Sequence, residues 1–496
     1  MSSRCLRAAV PVAFGAVAAL GQAPFEWPVL FLLALAGMFV WLRRSALTAA
    51  EVARRGWAFG FGYFAISLHW IVSPFLVDAA RHGWMAPFAV VLMAAGGALF
   101  WMAGFWLARR MGPRLGWLVV TLPGIELLRS YIFTGFPWAS PAQTTVNTLL
   151  GQGLSLVGPQ GVNLVLIALA VTIAVLLMRR VWWSRALAAV LVLPVLLPSF
   201  ASPATRTGQV IRLVQPNAPQ HQKWDPEMIP IFYARQLEFT AAPPSAGWDA
   251  PALIVWPETA IPWTLSYAGD VLPQISAAAG GTPVVLGVQR NEGERFYNSL
   301  VTLGPQGTVE QMYDKHHLVP FGEYVPLGDF MARFGIYGLA PQYGSGFSAG
   351  PGAQLMDFGA LGRALPLICY EAVFAHDVNA APARPDFIIH ATNDAWFGKD
   401  AGPQQHLAQA RMRAIEQGLP VARAANTGIS AMIDPHGRVL DHLGLGQAGY
   451  VDAVLPAPLA PTLYSRTGDW PVTVLLLLAL AVGLLRSVMR HRTPTE

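Results

Sequence analysis

Apolar runs set the first limit on what this chain can fold into. Seven stretches of its N-terminal half carry few or no charges: Ala8–Ala23, Trp27–Leu42, Trp57–Leu76, Trp84–Ala108, Leu115–Phe133, Gly161–Met178 and Trp182–Phe200. An eighth, Trp470–Leu485, lies near the C-terminal end of the sequence. About 20 helical residues cross the hydrocarbon core of a bilayer. In lipid the backbone must satisfy its own hydrogen bonds, which favours helices for such runs. The first two are short and joined by Gln22-Ala23-Pro24-Phe25-Glu26-Trp27, so we expect a tight helical hairpin. Arg4 and Arg7 ahead of the first run also suit a cleaved leader, but the second run follows almost at once, which favours a retained helix. Only 12% of residues are charged, against about 25% in a soluble domain. The deficit is concentrated in these runs.

The arginines give an orientation. Arg4 and Arg7 precede the first run, and Arg43, Arg44, Arg54 and Arg55 separate the second from the third. Arg109, Arg110 and Arg114 follow the fourth, Arg179, Arg180 and Arg185 the sixth, and Arg486, Arg490 and Arg492 the eighth. The alternate connections hold only Arg81 and, at a helix end, Arg129. With eight crossings every cluster falls on one side, which the positive-inside bias makes the cytoplasm. Both termini are then expected inside and the segment between runs seven and eight outside. The net charge of +5 comes from these clusters, so it speaks of topology, and we expect no nucleic-acid partner. A transporter or channel would need more ionisable groups within its helices than these runs contain.

Three features of the helical half stand apart. Glu126 and Arg129 are spaced i, i+3 and can pair on one helix face, which lowers the cost of placing either in a membrane. Thr134-Gly135-Phe136-Pro137-Trp138 reads as a rigid aromatic turn at the outer interface, either a lipid or substrate contact or an anchor. His69 reads as a packed polar residue.

From about Thr205 to Pro461 the composition becomes ordinary, and about 250 residues suffice for one α/β domain. Gln209–Val214, Leu253–Trp256, Pro283–Val288, Leu365–Cys369, Asp386–His390, Val421–Ala425 and Ile429–Ile433 read as strands. Pro226–Thr240 and Gln404–Gln417 read as helices, and Phe296–Leu303 with Thr308–Tyr313 as a hairpin around Gly304-Pro305-Gln306-Gly307. The expected division is 1–204 as a seven-helix membrane domain, 205–461 as a catalytic domain, and 462–496 as a last helix and tail.

Reactive side chains sit at three strand ends. Glu258 follows Leu253-Ile254-Val255-Trp256-Pro257, Lys315 follows Met312-Tyr313-Asp314, and Cys369 follows Leu365-Pro366-Leu367-Ile368. The only other cysteine, Cys5, could reach Cys369 only if the chain folded back across a membrane, so Cys369 reads as a free thiol. A buried cysteine is often only a small core residue, and any one of these residues alone has a bland explanation. Together they supply a base, a cation and a nucleophile, the parts needed for cysteine acyl transfer.

The three stretches Val255-Trp256-Pro257-Glu258, Asp314-Lys315 through Pro320-Phe321-Gly322-Glu323-Tyr324-Val325-Pro326, and Ile368-Cys369-Tyr370-Glu371 resemble the catalytic signatures of the nitrilase superfamily. Joined to a multi-helix half and one C-terminal helix, they resemble the apolipoprotein N-acyltransferase family of bacterial inner membranes. That resemblance spans essentially the whole chain and implies an αββα sandwich beside an eight-helix membrane bundle, with a Glu258–Lys315–Cys369 triad. It implies that Glu323, Tyr370 and Glu371 support the lysine and the oxyanion. Trp138, Trp224, Asn298, Trp396 and Phe397 lie in further matching stretches and are expected near substrate.

The implied reaction is ping-pong. An acyl chain passes from the sn-1 ester of a phospholipid, phosphatidylethanolamine for preference, through a thioester to the amine of a diacylglyceryl apolipoprotein. No metal or cofactor is implied, and His316, His317, His390 and His406 show no ligand spacing. A monomer is expected. The aromatic, glycine-rich stretch Phe330–Phe347 and Trp396-Phe397-Gly398 read either as apolar loops able to dip into lipid or as ordinary domain core. The competing enzyme reading, a membrane-tethered amidase of nitrilase type, leaves the helical half without a purpose.

Overall fold

The structure, a computed structural model, describes residues 3–43, 47–113, 115–179, 181–327, 330 and 346–492. Phe334, Tyr337, Leu339 and Tyr343 of the expected lipid loop, and Arg44, Arg114 and Arg180 of the basic clusters, lie outside the described residues. The chain divides into two compact units, Met1–Ala201 with Pro461–Glu496, and Ser202–Ala460.

In the first unit each apolar run holds a helix: Ser3–Ala19, Pro28–Arg43, Ala49–Ser67, Ala86–Met111, Leu118–Arg129, Leu154–Met178, Trp182–Val190 and Trp470–Arg492. By length and composition two helical stretches can cross a membrane alone, Ala79–Met111 and Leu150–Met178. Ala49–Ser67 with His69–Leu76 makes a third if the pair, bent by 58°, is one span. Ala9–Ala19, Pro28–Arg43, Trp182–Leu196 and Trp470–Arg486 are apolar but shorter.

The bend corrects the expectation of one continuous span over Trp57–Leu76. The helix ends at Leu68, with φ −107° and ψ 14°. His69 is exposed there, and its ring Nδ1 lies 2.7 Å from the carbonyl oxygen of Ile66. It satisfies a helix end instead of packing inside. The expected Glu126–Arg129 pair forms, at 2.6 Å and with both side chains at most 3% exposed. Trp101 Nε1 donates to Glu126 at 2.7 Å, and Arg129 donates to the carbonyls of Phe136 and Trp138. The aromatic turn is therefore tied from within. Trp138 is buried against Trp70, with ring centroids 4.7 Å apart.

The second unit is built on two six-stranded sheets. The first contains β1 (Arg206–Gln215), β2 (Leu253–Val255), β3 (Val284–Glu292), β4 (Arg295–Leu303) and β5 (Val309–Asp314). The second contains β6 (Met356–Asp357), β7 (Arg363–Ile368), β8 (Phe387–Thr392), β9 (Val421–Ala425), β10 (Ser430–Ile433) and β11 (Val439–Leu443). The chain then returns to the first sheet as β12 (Gly449–Pro456). The orders are β12-β1-β2-β3-β4-β5 and β6-β7-β8-β9-β10-β11. Both follow one pattern: an antiparallel edge, a parallel trio (β1-β2-β3 or β7-β8-β9), then two antiparallel strands.

The parallel strands are apolar runs because both of their faces are covered. Helices Ile229–Ala241 and Leu272–Ala278 pack on the first sheet around Trp256, Leu286 and Val301. Helix Gly402–Gln417 packs on the second around Leu365, Leu367 and Ile388. The sheets face each other between these helices, giving the expected αββα sandwich. The end of β2, the end of β5 and the end of β7 deliver Glu258, Lys315 and Cys369.

Candidate active site

The geometry at Cys369 begins with its backbone. β7 stops at Ile368, and Cys369 takes φ +49° as the chain enters a 3-10 turn over Cys369–Val373. A left-handed non-glycine residue costs on the order of 1–3 kcal/mol and persists only where its surroundings hold it. Here the imidazole Nε2 atoms of His390 and His406 both donate to the Cys369 carbonyl oxygen, at 3.1 and 3.0 Å. His406 Nδ1 lies 2.8 Å from Asp394 Oδ1, and Asp394 is paired with Arg423 at 2.7 Å. All four of these side chains are fully buried. Burial pushes Asp394 up, but Arg423 and His406 outweigh it and hold the carboxyl well below its usual range.

Glu371, also fully buried, fastens the Cys369 turn to the lysine segment. Its Oε2 accepts from the Ile368 N–H at 2.7 Å. Its Oε1 accepts from the Tyr313 hydroxyl at 2.7 Å and from the His316 N–H at 2.8 Å. The expected support of Lys315 by Glu371 is thus exerted on the backbone just after the lysine. Direct contact with the amine comes from Glu323, 2.9 Å from Lys315 Nζ. Glu323 is itself fixed by the Val319 N–H at 2.8 Å.

Lys315 is 1% exposed. Burial alone would strip its proton, but Glu323 and Glu258 overcome burial and hold the ammonium charged, well above its ordinary range. Glu258 Oε1 is 3.7 Å from Lys315 Nζ and accepts from Asn298 Nδ2 at 2.7 Å. Its other oxygen accepts from the Asn393 N–H at 2.8 Å. Close approach of β3 makes this loop possible. A Cβ on Gly287 would lie 2.4 Å from Thr259 N and 2.6 Å from Glu258 Cα, so only glycine fits.

The Cys369 thiol feels both charges. Burial pushes it well above the ordinary thiol range and Glu258 adds to the rise, while Lys315 and a hydrogen bond with Thr392 pull the other way. The resting group is a buried, protonated thiol beside a carboxylate and an ammonium. It can act as a nucleophile once a base removes its proton.

The remaining residues divide. Asn298 is 2% exposed and bridges Glu258 and Glu323, the second bond being 3.2 Å, so it belongs to the charge cluster and not only to a substrate surface. Its Oδ1 has no partner among the described residues. Tyr370 is buried, edge-on to His317 and Phe374. Trp224 is half-buried and lines a small pocket with Lys223, Phe232, Tyr233, Pro257 and Asn426. Trp396 is half-buried. Of the two readings of its loop Phe397 takes the core one: it is buried and packs edge-on against His406, at 5.3 Å between centroids. Trp138 lies in the helical unit and is 1% exposed.

Several residues had no signal of their own in the sequence. Lys223 is buried and donates to Thr259 Oγ1 at 2.8 Å and to the Glu258 carbonyl at 3.3 Å. Burial pulls its ammonium down to about 7, with Glu258 opposing. Asn393 reaches Gln220 and Asn426 at 2.8 Å each. His390 and His406, read as unconnected structural histidines, converge on one carbonyl.

Known proteins match both halves. Residues 14–172 match the apolipoprotein N-acyltransferase N-terminal domain, and residues 226–460 match the carbon-nitrogen hydrolase family. The chain is 39% identical to the apolipoprotein N-acyltransferase of Rhodopseudomonas palustris over 97% of its own length and 95% of that protein's. The chain belongs to the apolipoprotein N-acyltransferase family. The Brucella melitensis relative of the same name is 36% identical, covering 95% of this chain and 94% of its own. The Caulobacter vibrioides relative is 37% identical over 86% and 84%. Among solved structures, an amidase from Nesterenkonia sp. covers 55% of this chain and 97% of its own at 19% identity, with a TM-score of 0.36.

A protonated resting thiol predicts the pH course of alkylation. In the detergent-solubilised protein, Cys369 should react slowly with iodoacetamide at pH 7, as followed by peptide mass mapping. The rate should rise about tenfold per pH unit to at least pH 9, because only the thiolate attacks. A plateau at or below neutral pH would show a preformed thiolate and contradict the charge balance described.

Proposed function

We propose that the chain transfers the sn-1 acyl chain of a phospholipid, by way of a thioester on Cys369, to the α-amine of a diacylglyceryl-cysteine at the N-terminus of a lipoprotein. This is the last step of lipoprotein maturation. The observation that carries it is the buried meeting of the Glu258 carboxylate, the Lys315 ammonium and the Cys369 thiol, in a chain that matches the apolipoprotein N-acyltransferase N-terminal domain over 14–172 and the carbon-nitrogen hydrolase family over 226–460.

In the first half-reaction Glu258 takes the thiol proton as sulfur attacks the ester carbonyl. A C–S bond forms, and the carbonyl electron pair moves onto oxygen. Lys315 and the backbone N–H near Tyr370 face that charge, and a preorganised donor of this kind contributes about a hundredfold or more in rate. Collapse breaks the ester C–O bond, and Glu258 returns its proton to the departing lysophospholipid. In the second half-reaction the acceptor amine attacks the thioester, a C–N bond forms and C–S breaks. The amine's proton passes through Glu258 back to sulfur. Glu323 and Asn298 hold Lys315 and Glu258 in place throughout, and Glu371 ties the lysine segment to the nucleophile. Protons and electrons balance with these side chains alone.

Phosphatidylethanolamine as donor, a diacylglyceryl apolipoprotein as acceptor and a monomeric enzyme complete the reading. Trp224 and Trp396, half-buried beside this machinery, suit contacts with the substrates. For topology we propose eight crossings in the bacterial inner membrane: a seven-helix domain over 1–204, a periplasmic catalytic domain over 205–461, and a last helix with a cytoplasmic tail over 462–496. What supports it is the one-sided arginine pattern and a helix in every apolar run. An amidase releasing acid to water is disfavoured because its substrate needs no such helices.

Two outcomes follow. With phospholipid vesicles and a diacylated lipopeptide, the purified protein should form triacylated product when the N-terminus is free and none when it is acetylated, read by mass spectrometry. Free fatty acid released at the same rate with or without the lipopeptide would favour the hydrolase. For topology, a cysteine placed at Gly307 should react with an impermeant thiol reagent from the periplasmic side. Labelling only from the cytoplasm would overturn the orientation.

A further inference from the structure

One cluster plays no part in the reaction as derived. His317 lies two residues beyond Lys315, and His376 and Asp377 lie on the short helix Ala375–Asn379 that follows the nucleophile turn. One side-chain ligand atom from each falls within 4.8 Å of the other two. His317 Nδ1 is 2.7 Å from Asp377 Oδ2, and His376 Nε2 is 3.4 Å from Asp377 Oδ1. The His317 ring is locked by stacking on Phe374, with centroids 3.6 Å apart and planes 12° from parallel. The ring thus presents Nδ1 to Asp377, while its Nε2 is buried without a partner among the described residues. His376 is 30% exposed, which leaves a path from solvent.

Two imidazoles and a carboxylate suit a borderline divalent ion better than a hard one such as magnesium or calcium. With metal–ligand distances of about 2.0–2.1 Å, tetrahedral coordination sets neighbouring ligand atoms about 3.4 Å apart. Asp377 turns Oδ1 to His376 and Oδ2 to His317, so binding one ion needs a small turn of this carboxylate to bring a single oxygen to that spacing from both rings. We propose that His317, His376 and Asp377 form a binding site for a divalent transition metal of the zinc type, with the fourth position open to water. The ion would join the segment after Lys315 to the segment after Cys369, the same two segments that Glu371 joins from the inside. It touches none of the reacting atoms, so its part is to brace the site, and it stands independently of which acyl donor or acceptor the enzyme uses.

The test uses the full-length protein purified in detergent through a tag without histidine, treated with EDTA and desalted. Titration with Zn²⁺ against a chromophoric chelator should give one equivalent bound. Affinity should fall at least about tenfold in His376→Ala, a partly exposed position whose loss leaves the fold intact, and should not change in His442→Ala, an exposed histidine elsewhere in the same unit. Zn²⁺ should raise the thermal unfolding midpoint of the wild type and of His442→Ala, and not that of His376→Ala. Co²⁺ should give a tetrahedral visible spectrum in the wild type that His376→Ala abolishes. Failure to bind one saturable equivalent, or equal binding by His376→Ala and the wild type, overturns the proposal.

Discussion

The ammonium of Lys315 is the interaction on which the rest of the site depends. A charge buried to this degree without partners would cost several kcal/mol and would give up its proton instead. Two carboxylates prevent that, and each must come from a different part of the chain: Glu323 at 2.9 Å from the loop after β5, and Glu258 at 3.7 Å from the end of β2. Once both are present, the surplus negative charge has to be spread over other donors. Asn298 on β4 bridges the two carboxylates, and the Asn393 N–H at the end of β8 takes the free oxygen of Glu258. The first sheet and the second are therefore both committed to one small cluster.

The same balance explains why Cys369 rests as a thiol. Cys369 sits where burial and Glu258 oppose ionisation and only Lys315 and Thr392 favour it. Deprotonation is then tied to attack, when the base moves the proton and charge develops within reach of the ammonium. Positioning is handled separately from charge. Glu371 holds Ile368 and the His316 backbone, while His390 and His406 hold the Cys369 carbonyl. These contacts keep the left-handed turn at Cys369 without touching its sulfur. A brace on the outer side, through His317 and Asp377, would act on the same two segments.

Much of this was readable from the sequence wherever one segment carried its own signal. β2 and β7 are buried apolar runs and β5 was marked by its hairpin, so Glu258, Cys369 and Lys315 stood out as strand-end groups. The hairpin at Gly304–Gly307 announced itself by its turn residues. What escaped were elements whose burial is partial. β11 alternates between half-buried and exposed positions over Val439–Leu443 and shows no apolar run, and β12 returns from far along the chain to close the first sheet. Long-range partners escaped because a contact between distant segments leaves no local pattern. Nothing near Lys223 reveals that its amine meets Thr259, nor does anything near His390 and His406 show that they share a carbonyl. Phe397 stayed open between lipid contact and core, because an aromatic beside glycine reads alike whether it faces lipid or, as here, a buried imidazole. In the helical half, composition marked the long helices but not the short ones at Ala79–His82 and Leu463–Thr467, nor the 58° bend beside His69, where a run without charges is broken by backbone geometry alone.

The proposed covalent acyl-enzyme would let two lipids react without ever meeting in one pocket. Intact-protein mass spectrometry of the chain purified from membranes tests this most directly. The account predicts an adduct of fatty-acyl mass on Cys369, released by neutral hydroxylamine, absent in Cys369→Ala and nearly absent in Glu258→Gln, where the thiol keeps its proton. Wild-type protein that stays unmodified after incubation with phospholipid and no acceptor would contradict it.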